Sequence, residues 1–71
     1  MTKMTLKMAR AKKGYSQEKI ADKLGVVRQT YQNYENYKTP MDVETAFRFS
    51  QVVDVDFDDI IFFKQNYTSS V

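Results

Sequence analysis

The chain has 71 residues, 28% of them charged, a formal net charge of +2, and neither cysteine nor histidine. That length allows one domain, and the missing residue types exclude disulfides, thiolate metal sites, and the commonest general base and metal ligand. The N-terminal stretch MTKMTLKMARAKKG lacks the apolar core of a signal peptide, and the longest apolar run, IIFF at 60–63, is far too short to cross a bilayer, so a soluble intracellular protein is expected.

Thr5 is placed to cap a first helix with Leu6 and Ala9 inward, and Gly14 ends it in a left-handed conformation that is cheap only for glycine. Ser16 is a good N-cap for a second helix, where Glu18 in the first turn suits the helix dipole. Ile20, Ala21 and Leu24 share one face of it, and Gly25 stops it. A third helix is predicted over about 28–36, with Tyr31, Tyr34 and Glu35 toward one side. Arg28, Gln29, Gln32 and Asn33 lie at i, i+1, i+4 and i+5, one continuous polar stripe. Thr39-Pro40 is a loop. Asp42 is expected to cap a fourth helix with Val43, Ala46, Phe47, Ser50 and Val53 inward, ending at Asp54 as a tolerable left-handed residue. Asp56 is expected to cap a short fifth helix that packs Phe57, Ile60 and Ile61 inward. Five helices and no strand predict an all-α domain, a compact five-helix bundle over 1–71, with its core at about 5–62 and a C-terminal tail at 63–71.

Charge divides the chain. Residues 1–38 hold nine Lys/Arg against three acids, a net +6, while residues 39–71 hold two against six, a net −4. A basic half joined to an acidic half points to a polyanion-binding surface and a separate second surface. Taken alone, the polar stripe of the third helix is more often a solvated face. Its meaning changes with the corner before it. Ala21 is small enough for close helix approach, Gly25 can make a tight turn at positive φ, and Val26 can pin that turn to the core. A helix held this way can enter a DNA major groove, where Arg pairs with guanine and Gln or Asn with adenine.

The stretch LKMARAKKGYSQEKIADKLGVVRQTYQNYENYKTP, followed by DVETAFRFSQVVDVDFDDIIF, resembles the phage repressor/Cro-type (XRE) helix-turn-helix family over about residues 5–62. Arg10, the SQEKIA run, Gly25-Val26, and Glu35-Asn36 with Lys38 carry the resemblance. It implies a bundle of the lambda repressor-like type and a sequence-specific double-stranded DNA-binding transcription regulator, a repressor or Cro-like switch protein. Arg28, Gln29, Gln32 and Asn33 would face base edges or flanking phosphates. Gln17, Asn36 and Lys38 would contact the phosphate backbone, and Arg10 with Glu35 would form a structural ion pair between the first and third helices.

Three positions depart from the family pattern. Val27 stands where Ser or Thr usually caps the recognition helix, which leaves that helix uncapped and offers an apolar contact to a thymine methyl. Tyr37 stands where glycine commonly follows Glu-Asn, so Asn36 is expected to take the positive-φ conformation, or the helix to run on. Tyr15 replaces a common leucine and reads as core. Phe62 and Phe63 exceed what so small a core can absorb, and with Tyr67 they are candidate contacts of a homodimer reading an inverted repeat. A restriction–modification controller on the same fold remains an alternative. So does a protein-interaction module, an antitoxin or antirepressor, whose partner binds the acidic, aromatic C-terminal half. No cofactor, metal or catalytic cluster is expected, and the setting is the cytoplasm of a bacterial or phage-infected cell, on the nucleoid.

Overall fold

The computed structural model describes residues 3–63. Two of its helices open as their caps dictate. Thr5 accepts a hydrogen bond from the Met8 N–H at 3.1 Å and starts α1, Leu6–Lys13. Ser16 accepts from the Lys19 N–H at 3.0 Å and starts α2, Gln17–Leu24. The third helix, α3, Arg28–Glu35, begins after Val27 with no side-chain cap. Asp42 precedes the fourth, α4, Val43–Val53, but its carboxylate makes no capping bond. Its stabilising effect there is limited to its charge beside the helix dipole.

All four helices end alike. The residue past the last turn takes a left-handed conformation, and two backbone N–H groups fold back onto carbonyls of that turn, the Schellman arrangement. After α1, Gly14 (φ 84°) and Tyr15 donate to Ala11 and Arg10. After α2, Gly25 (φ 74°) and Val26 donate to Asp22 and Ala21. After α4, Asp54 (φ 59°) and Val55 donate to Gln51 and Ser50. A Cβ added at Gly25 would meet nothing within 4 Å, so this corner needs glycine for its torsion angle and not for close approach.

The end of α3 departs from expectation. Tyr37 itself takes φ 61°, while Asn36 stays at φ −87°. Tyr37 and Lys38 donate to the carbonyls of Tyr34 and Asn33. A left-handed tyrosine costs about 1–2 kcal/mol. Tertiary contacts offset it: the Tyr37 hydroxyl accepts from the Leu6 N–H at 3.2 Å and donates to the Ile61 carbonyl. Tyr37→Phe is therefore expected to lose about 1 kcal/mol of stability. Urea denaturation checks this, and an unchanged midpoint would show that the hydroxyl holds nothing.

The expected fifth helix does not form over 57–61, and the described residues hold four α-helices and a short strand pair. After Asp56 the chain makes one 3-10 turn, Phe57–Asp59, and becomes extended. Ile60–Ile61, β2, pairs in parallel with Met4–Thr5, β1, with Met4 opposite Ile60 and Thr5 opposite Ile61. Two β-branched residues favour the extended form. There Ile60 is buried while the Ile61 carbonyl meets Tyr37.

The core gathers Leu6, Ala9, Ile20, Ala21, Leu24, Tyr31, Met41, Ala46, Phe49, Val53, Ile60 and Phe62. On α4 the inward stripe is Ala46, Phe49, Ser50 and Val53. Ser50 satisfies its hydroxyl by donating to the Phe47 carbonyl at 2.7 Å. Val43 and Phe47, expected inward, lie outside at 70% and 53% exposure. Phe49 takes the core position because its ring meets both Tyr31 (centroids 6.4 Å apart) and Phe62 (6.2 Å, edge-on). Phe62 is consequently a core residue, not a surface one. Of the three candidate dimer contacts, Phe63 is 60% exposed and Tyr67 lies outside the described residues.

Candidate nucleic-acid interface

Helix α3 has a buried edge and an open one. Tyr31 and Glu35 are buried, and Tyr34 packs against the core. On the other side Val27, Arg28 and Gln29 are exposed, with Gln32 and Asn33 half-buried behind them. The polar stripe is thus a real face of the fold, led by the first turn of α3. Val26 packs against the core and donates its N–H to the Ala21 carbonyl at 3.0 Å, so α3 leaves the corner in one direction. Gln29 Nε2 donates to Asn33 Oδ1 at 3.2 Å, an i,i+4 pair lying on the open face.

A polar network under the corner locks α3 to its neighbours. Arg10 Nε donates to Glu35 Oε2 at 2.7 Å, and Nη2 to Glu35 Oε1 at 3.3 Å. The third guanidinium nitrogen, Nη1, donates to the Tyr15 carbonyl at 2.8 Å. Tyr31 donates its hydroxyl to Glu35 Oε2 at 2.8 Å, and Gln17 Nε2 donates to Glu35 Oε1 at 2.8 Å. Gln32 Nε2 then donates to Gln17 Oε1 at 3.0 Å. One carboxylate therefore ties α1, α2 and α3 together. Burial alone would raise the Glu35 pKa, but hydrogen bonds from Arg10, Gln17 and Tyr31 outweigh it and hold the carboxyl below its usual range. The same hydrogen bond to Glu35 raises Arg10, and burial pushes the Tyr31 phenol well above its usual value.

The expected backbone contacts divide into two groups. Asn36 and Lys38 are exposed at the far end of α3, where the left-handed turn at Tyr37 sets their direction. Gln17 sits at the start of α2, but both its amide ends are already engaged inside the protein. Sequence reasoning missed that engagement, since nothing in two glutamines fifteen positions apart announces a contact. Gln29 and Asn33 both belong to the polar stripe expected from the spacing, and the structure adds their contact. The lysines at 7, 12, 13, 19 and 23 and Arg28 are all exposed, while Asp54, Asp56 and Asp58 line the opposite, acidic end of the chain. Among the described residues no group of three or more acidic, His or Cys side chains could hold a metal ion, and no helix is long and apolar enough to cross a membrane.

Comparison with known proteins gives two findings. The family described as Helix-turn-helix matches residues 6–60. The SPbeta prophage-derived uncharacterized HTH-type transcriptional regulator YonR of Bacillus subtilis (strain 168) is 43% identical over 53 residues, 75% of this chain and 49% of the relative. The chain thus spans about half the length of the curated relative it matches.

Proposed function

The chain belongs to the helix-turn-helix family, and we propose that it is a sequence-specific double-stranded DNA-binding transcription regulator, of the repressor or Cro-like kind, that lays α3 in the major groove. The observation that carries this reading is the open face of α3. Arg28 and Gln29 lead an exposed polar edge whose opposite side is fixed by the Arg10–Glu35 ion pair. The prophage-derived name of the relative agrees with a regulator of this kind. Arg28, Gln29, Gln32, Asn33 and Val27 meet base edges. The α2 N-terminus with Gln17, and Asn36 with Lys38 beyond α3, meet phosphates. The bacterial cytoplasm, on the nucleoid, is where such a protein works.

The working form is a homodimer on an inverted repeat, since one helix reads only a few base pairs and a pair reads two half-sites about 34 Å apart. Phe63 and the outer α4 residues Val43 and Phe47 are exposed apolar groups on the acidic half, away from α3 in sequence and charge. Phe63→Asp and Phe47→Asp are expected to shift sedimentation from dimer toward monomer. An unchanged dimer mass in both would move the interface elsewhere.

Selection of binding sites from a randomised duplex pool tests the reading. An enriched inverted repeat is the expected result, and six phosphate contacts would give a log–log salt slope near −5, at about −0.9 per contact. A folded protein that enriches no sequence would overturn the reading in favour of a protein-interaction module.

A further inference from the structure

The chain reverses where α3 ends, and one residue there must take a left-handed conformation. Local chemistry favours Asn36, since asparagine is several-fold enriched at positive φ and a bulky tyrosine is strained there. The structure puts the turn one residue later. Asn36 stays at φ −87° and Tyr37 takes φ 61°. The reason lies at the far end of the Tyr37 side chain. Its hydroxyl accepts from the Leu6 N–H at 3.2 Å and donates to the Ile61 carbonyl. Leu6 is the first residue of α1, so its amide has no acceptor inside its own helix. Burial pushes the Tyr37 phenol above its usual value, so it keeps the proton that it donates.

The place of this turn decides where the next residues go. With the left-handed residue at 37, the Lys38 N–H closes on the Asn33 carbonyl at 2.9 Å, and Lys38 stands exposed just past α3. A left-handed Asn36 would close the helix one residue earlier, through the Tyr37 N–H and the Gln32 carbonyl. The exit of the chain would then rotate by about 100° around the helix axis, the angle that one helical residue subtends.

We infer that Tyr37 is a positioning residue for the phosphate contacts beyond α3: its hydroxyl, anchored on Leu6 and Ile61, holds the left-handed turn at 37 and so fixes where Lys38 meets the DNA backbone. This inference rests on α3 entering the major groove. Arg28, Gln29, Gln32 and Asn33 precede the turn and keep their places whichever residue makes it. Loss of the hydroxyl therefore separates affinity from base choice.

The test uses Tyr37→Phe, which removes the hydroxyl and keeps the ring. The NOE between a residue's own amide and α protons is strong only at positive φ. It is expected to be strong at position 37 in the wild type and to move to Asn36 in Tyr37→Phe. Binding is then followed against salt on two duplexes, one of random sequence and one enriched from the randomised pool. Tyr37→Phe is expected to flatten the log–log slope by about one unit on both, the loss of one phosphate contact, with the ratio of the two affinities unchanged. Adding Lys38→Ala to Tyr37→Phe is expected to flatten it no further, because both changes remove the same contact. A purely structural loss would leave the Lys38 contribution in place at a temperature where both proteins are folded. A positive φ that stays at position 37 in Tyr37→Phe overturns the inference, since the hydroxyl is then not what holds the turn. So does a Tyr37→Phe slope equal to that of the wild type, or a double variant that loses a further unit. A wild-type protein that binds neither duplex fails differently, because it removes the groove reading and the phosphate contact with it.

Discussion

Glu35→Ala is expected to remove a large share of the chain's stability at neutral pH. Glu35 accepts four hydrogen bonds from three residues, two of them from Arg10. Alanine leaves the guanidinium with only the Tyr15 carbonyl, and it strands Tyr31 and Gln17 as donors in a desolvated place. Breaking one partner of such a pair costs about 3–5 kcal/mol. A domain of this size holds in total only about 3.5–10 kcal/mol. A thermal transition lowered by about 12 °C or more is the expected readout. A variant that melts within a few degrees of wild type would show that the network contributes specificity without stability.

The same carboxylate sets the response to acid. Its folded pKa lies below the ordinary value, so its stabilisation is present in full above that ordinary value, about 4.3, and is lost as pH falls through the folded pKa. The wild-type chain is expected to lose stability on going from pH 6 to pH 3. Glu35→Gln is expected to be weaker at pH 6 and to show a flatter profile. Denaturant midpoints at the two pH values measure both effects.

The second large effect concerns base choice. Arg28 and Gln29 occupy the exposed first turn of α3, the part of a recognition helix that reaches base edges. Arg28→Ala is expected to cost about 1–3 kcal/mol on the best site and to relax preference at one base pair, since a bidentate Arg–guanine contact carries that much discrimination. Gln29→Ala relaxes a neighbouring position. Lys38→Ala, beyond the helix, is expected to weaken every sequence about equally and to reduce the salt slope by roughly one unit. Competition binding with a panel of single-base variants separates the two behaviours. If Arg28→Ala and Lys38→Ala both change affinity and leave preference intact, α3 is not the reading helix.

What was legible in the sequence was local chemistry. Thr5, Ser16, Gly14, Gly25 and Asp54 mark helix ends through groups on the residues themselves, and each acts at the expected place. The open face of α3 was legible because its spacing and its corner agree. The errors are of one kind, in which a distant contact decided between local options. In FRFSQVV the phenylalanines at 47 and 49 both fit a helical stripe, and the rings of Tyr31 and Phe62 selected Phe49. Tyr37 is a poor left-handed residue until its hydroxyl finds Leu6 and Ile61. The pairing of β1 with β2 has two residues a side and no periodicity to betray it. Gln17 and Gln32 were each assigned to DNA separately, and their mutual contact became visible only with α2 laid against α3.

The β1–β2 ladder also bears on the order of assembly. Met4 and Ile60 are partners more than fifty positions apart, whereas α1, α2 and α3 follow one another through short turns. Closing so long a loop has an entropic cost that grows with its length, and two residues a side return little for it. The helices are therefore expected to form early, and the ladder to close late and open first. Tyr37 hangs from both strands of that ladder and lies just past α3. Amide exchange at Leu6 and in β2 is therefore expected to be faster than in α2 and α3, and equal protection throughout would show that the ladder closes together with the helices.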